Sequence, residues 1–65
     1  MKISSTKLGI VMAEKGVSFL ELSKDSGVSR TTLSYIKNGK SCKPEIIAKI
    51  AKSLEVEMIE LIEKE

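Results

Sequence analysis

Histidine is missing from the sequence, cysteine and proline occur once each, and no run is long and apolar enough to be a membrane span. Each absence removes a class of function. With no histidine and Cys42 as the one thiol, neither a zinc set nor an internal disulfide can be assembled. Cys42 falls in the polar stretch Ser41-Cys42-Lys43-Pro44 and reads as a solvated loop residue rather than a nucleophile, since no base accompanies it. Paired carboxylates at a plausible cleft are lacking too, so an enzyme is not expected, nor is a cofactor or a small-molecule ligand. No hydrophobic run approaches the roughly 18 residues of a span, and Met1–Thr6 has no signal-peptide pattern. The expected location is cytoplasmic, with no membrane partner. Strand-like alternation, internal repeats and low-complexity segments are absent as well, which leaves an all-α chain.

What is present must then fold by helix packing. Sixty-five residues suffice for one domain, expected to span 1–65. A chain this short buries only about 60% of its unfolded surface, so good packing or self-association has to supply its stability. The formal charge is only +2, but it is unevenly spread. Residues 1–54 carry ten basic and four acidic side chains, a balance of +6, and residues 55–65 one basic and five acidic, a balance of −4. This asymmetry either aims one end of the molecule at an anion or reflects a Glu-rich terminal helix and nothing more.

The most informative stretch is Ser18–Gly39, SFLELSKDSGVSRTTLSYIKNG. Ser18 with Glu21 three residues later is a capping box, and Val17 can staple onto Leu22. Ser29 starts a second helix with the same staple between Val28 and Leu33. Between them Asp25-Ser26-Gly27-Val28 interrupts the helical run, and Gly27 is free to take a positive φ. The two helix starts lie eleven residues apart. The pattern is a helix-turn-helix spanning about 18–38. At about 100° per residue, Thr32, Leu33 and Ile36 share one side of the second helix, about 29–37, while Arg30, Thr31, Ser34 and Tyr35 share the other. Lys37, Lys40 and Lys43 follow at once. The polar arc is either a solvated face or a set of hydrogen-bonding groups on a rod narrow enough for a DNA major groove.

Elsewhere the expectations are simpler. Met1–Ser5 should fray, with Ser4 or Ser5 capping a first helix that ends before Gly16 and buries Leu8, Val11 and Met12. Gly9 costs that helix about 1 kcal/mol relative to alanine. Ile10 points away from the core. Pro44 suits the first position of a fourth helix, whose Ile46, Ile47, Ile50, Ala51 and Leu54 form an apolar stripe while Lys49, Lys52 and Ser53 face solvent. A fifth helix is expected from about Glu57 to Lys64. Its Met58, Ile59, Leu61 and Ile62 span about 160°, more than one docking face needs. The surplus, Met58, Ile59 and Ile62, either forms a self-association surface or closes the core.

The segment GVSFLELSKDSGVSRTTLSYIKNGK resembles the Cro- and phage-repressor-type (XRE) helix-turn-helix family, and the likeness runs from about Leu8 to Ile62. The resemblance implies a compact five-helix fold of the lambda-repressor type, binding double-stranded DNA with the second helix of the motif in the major groove. Carried over by position, Arg30, Thr31 and Tyr35 are the expected base readers, with Ser29 and Ser34 secondary. Ser18, Phe19, Asn38, Lys40 and Lys43 fall where the family holds phosphate, and Lys37 is a further expected phosphate contact. The implied protein is a small Cro-like regulator, a repressor by preference, acting as a homodimer on a palindromic operator. Three departures stand out. Phe19 replaces a phosphate-clamping Gln. Met12 and Lys37 replace an Arg–Glu ion pair, which frees Lys37 for phosphate. Ser23 and Glu55 replace the usual Ala and Gly. The rival reading is a protein-interaction module, or an antitoxin-like protein, that binds DNA weakly or not at all.

Overall fold

A computed structural model describes residues 2–63. Four α-helices follow in order: α1 (Ser5–Lys15), α2 (Phe19–Ser26), α3 (Arg30–Lys37) and α4 (Pro44–Leu54), then one 3-10 turn at Met58–Glu60. The all-α class is as expected; the count is four helices, not five.

The helix starts lie where serine chemistry puts them. Ser4 Oγ accepts from the Lys7 amide at 3.2 Å to open α1, and Ser18 Oγ accepts from the Glu21 amide at 3.2 Å to open α2. The Glu21 carboxylate reaches back to the Ser18 amide at 3.2 Å, completing the capping box. Ser29 Oγ accepts from the Thr32 amide at 3.1 Å and opens α3. No side chain caps α4, and Pro44, in its first turn, has no amide to satisfy.

The core is apolar throughout: among the described residues no polar or charged residue is buried. Leu8 and Met12 enter it from α1, Leu22 from α2, Leu33 and Ile36 from α3, and Ile47, Ile50, Ala51 and Leu54 from α4. Helix α4 is the central element, packing on α2, on α1 and on the 3-10 turn, while α3 packs on α2. Val11, Ile46 and Ser53 are half-buried, so the expected core and solvent faces blur by one position at their edges.

Three expectations are corrected. The N-terminal stretch does not fray over its described residues, 2–5. Ile3 is 1% exposed and forms an antiparallel bridge with Ile62. Around that bridge the Ser4 amide donates to the Leu61 carbonyl at 2.7 Å, and the Glu63 amide donates to the Lys2 carbonyl at 2.9 Å. This pairing is also why the fifth helix stops after one turn. The Leu61 carbonyl and the Glu63 amide are spent on the N-terminal segment instead of continuing a helix, and Leu61 is fully buried. The expected end of that helix, Lys64, lies outside the described residues. Finally, Cys42 is not a solvated loop residue: it is half-buried against the core, and burial pushes its thiol pKa up.

Helix α4 ends on Glu55 with φ 58°, the one non-glycine residue with positive φ among those described. A left-handed conformation costs a side-chain-bearing residue about 1–2 kcal/mol, against about 0.5–1 kcal/mol of extra chain entropy for glycine. Glu55→Gly is therefore expected to stabilise the fold by a few tenths to about 1 kcal/mol in urea unfolding. Ile3→Ala tests the terminal pairing. Loss of a fully buried isoleucine should cost about 2–5 kcal/mol, whereas a frayed end would cost less than about 0.5.

Candidate nucleic-acid interface

The turn between α2 and α3 is held by hydroxyls. Ser26 Oγ donates to the Leu22 carbonyl at 2.6 Å and accepts from the Val28 amide at 3.2 Å. Ser23 Oγ reaches past the turn to donate to the Val28 carbonyl at 2.7 Å. Gly27 supplies the left-handed residue, φ 75°, that redirects the chain. Val28 is buried beyond it. Ser23 is thus part of the machinery that aims α3. Sequence reasoning noted it only as a departure from alanine; the available signal was a hydroxyl one turn before a glycine break.

On α3, Leu33 and Ile36 are each 1% exposed, and Thr32 is half-buried beside them. The opposite face carries Arg30, Thr31, Ser34 and Tyr35, all exposed and bordering one shallow depression. The structure therefore brings together four of the five expected base readers. Ser29 is exposed at the start of the helix, but its hydroxyl is committed, accepting from the Thr32 amide and donating to Thr32 Oγ1 at 2.9 Å. Tyr35 is 53% exposed, with Lys40 Nζ 5.2 Å from its ring centroid. That contact couples an expected base reader to an expected phosphate contact.

The surrounding charge is of one sign. Between Asp25 and Glu45 the chain carries Arg30, Lys37, Lys40 and Lys43 and no carboxylate. These four cations and Asn38 are exposed. At the start of α2 the picture is less open than expected. The Ser18 amide is already taken by Glu21, which also sets a carboxylate beside that helix end. The amides of Phe19 and Leu20, which lack intrahelical partners by position, are the ones left to an anion. The Phe19 side chain is half-buried against the core and offers a ring instead of a side-chain amide. Lys37 is not free: its Nζ lies 5.4 Å from the Phe19 ring centroid, within cation–π range. Met12, Phe19 and Lys37 line one cavity, so residues singled out separately as departures are neighbours.

The family model of the Cro/C1-type HTH DNA-binding domain matches residues 7–65. The chain belongs to this family. Comparisons with curated proteins and with solved structures find no match. Membership makes the chain a helix-turn-helix DNA-binding domain of the regulator kind, from a family built for double-stranded DNA rather than for catalysis. Among the described residues, no group of three or more His, Cys, Asp or Glu side chains could hold a metal ion, and no helix is long and apolar enough to cross a membrane. The expected self-association residues are placed unequally. Ile59 is 72% exposed, whereas Met58 and Ile62 are half-buried against the core.

Proposed function

We propose that this protein is a small Cro-like transcriptional regulator, a single domain acting in the cytoplasm, that represses by occluding a promoter. It inserts α3 into the major groove of a palindromic operator, as a twofold dimer. One observation carries the reading: Arg30, Thr31, Ser34 and Tyr35 project together from a helix whose other face is locked in the core. Arg30 opens that helix, where it can make a bidentate contact with guanine O6 and N7. Thr31 offers a methyl to thymine or a hydroxyl to a base edge, and Ser34 and Tyr35 read further along the groove. Lys37, Lys40, Lys43 and Asn38 hold phosphates on either side, helped by the first-turn amides of α2. The protomer measures 28 × 22 × 18 Å, so two side by side can set their recognition helices the roughly 34 Å apart that successive major grooves require.

Sites selected from a random duplex pool, followed by titrations on the winner, test this directly. Affinity should fall with salt at a log–log slope near −0.9 per phosphate contacted. Arg30→Ala should flatten preference at one position of each half-site at a cost of about 1–3 kcal/mol. Lys40→Ala should weaken all sequences alike and lower the salt slope by about one. Salt-insensitive or absent binding would favour a protein-interaction module instead. Ile59→Glu tests the dimer. It should weaken binding to the full palindrome about tenfold while leaving a single half-site within about twofold; equal effects on both duplexes would place the dimer contact elsewhere.

A further inference from the structure

A cavity of about 320 Å³ opens between α1, the start of α2 and the end of α3. Its walls are apolar, formed chiefly by Leu8, Met12, Val17 and Phe19, with Gly9 on the α1 side. Gly9 is the informative residue. A glycine inside a helix costs about 1 kcal/mol relative to alanine, and close packing is the usual reason to retain one. Here, apart from the helix's own backbone and the neighbouring residues, no heavy atom of the described residues lies within 4 Å of where a Cβ would be, so tertiary packing among them does not require the glycine. Its missing side chain leaves the α1 side of the cavity uncovered. The volume falls at the lower end of small-molecule sites, which combine apolar walls with a few placed polar groups. Among the described residues that line it, the one charged group is Lys37, exposed and with its ammonium against the Phe19 ring.

We infer that this cavity is a binding site for a small apolar organic anion, an aryl or alkyl carboxylate or sulfonate. Its hydrocarbon body lies over Gly9 between Met12 and Phe19, and its anionic group pairs with Lys37. A bound anion draws Lys37 away from phosphate, so it acts as an antagonist of DNA binding; this consequence rests on the function proposed above.

Anilinonaphthalene sulfonate, whose fluorescence rises in apolar sites, is the probe, with uncharged phenylnaphthylamine as its control. The intact wild-type chain should bind the sulfonate saturably at one site. Gly9→Leu fills the cavity while improving helix propensity, so it should melt no lower than wild type and weaken the probe about tenfold or more. Lys37→Met should weaken the sulfonate about threefold and leave the uncharged control unchanged. Absence of saturable binding, or equal binding by Gly9→Leu, overturns the site. Equal effects of Lys37→Met on both probes overturn the anion preference. In the DNA titration, saturating sulfonate should lower wild-type affinity and spare Lys37→Met, and failure to do so overturns the antagonism. If DNA is not bound at all, the proposed function fails, and the fluorescence arms, which contain no DNA, still decide the site.

Discussion

The rotation of α3 about its own axis is the constraint from which the rest of the molecule follows. An eight-residue helix is too short to persist in water, so α3 exists because one of its faces is buried. Leu33 and Ile36, three positions apart and each 1% exposed, define that face. Full burial of each stabilises the fold by about 1.5–3 kcal/mol, a large share of the margin available to a small domain. Rolling the helix by one residue, about 100°, would surrender that burial and turn polar side chains inward. The burial that makes the helix therefore also decides that Arg30, Thr31, Ser34 and Tyr35 are what it shows. The serine bonds around Gly27 fix the remaining freedom, the angle at which α3 leaves α2.

The departures from the family pattern make better sense together than singly. Removing one partner of an ion pair strands a charge, whereas replacing both does not. Met12 accordingly joins the core, and Lys37, its counterpart at the other family position, turns to the ring of Phe19. A cation–π contact made by an exposed lysine is worth about 0.5–1 kcal/mol, enough to bias where the ammonium rests without immobilising it. The amide lost at Phe19 is thus replaced by a positive charge held at the same end of α2. Under the proposed function, a phosphate arriving there meets an ammonium instead of a glutamine side chain. The contact becomes more dependent on salt and less on geometry, because a lysine is a mobile point charge.

Most of the fold was legible in the sequence because local chemistry dictates it. Ser4, Ser18 and Ser29 announce helix starts, Gly27 announces the turn, and the spacing of Leu33 and Ile36 announces the buried face. The exposed set on α3 followed from that spacing alone. What was not legible depends on partners distant in sequence. The periodicity of Met58, Leu61 and Ile62 suits a helix as well as a closing turn, and only the approach of Ile3 from the other end decides between them. Likewise Cys42 reads as polar from its neighbours in the chain, but its environment is set by the core beneath the loop. The contact between Lys37 and Phe19 joins two positions each notable for a separate reason, and neither names the other.

The terminal bridge also limits how this protein can pair with itself. A full fifth helix would have offered an apolar arc wide enough for both the core and a partner. Instead Leu61 is buried, Met58 and Ile62 are half-covered, and Ile59 alone of the four remains prominent. Stable dimers bury about 800 Å² per partner, far more than one isoleucine contributes. A dimer resting on so small a contact is weak in free solution. Under the proposed function, though, each protomer on a palindrome is already held by its half-site, and the second contact forms at the high effective concentration that shared DNA imposes. On that proposal the operator does the assembling. Its half-site spacing, rather than the protein interface, would then be the main determinant of which sequences are occupied.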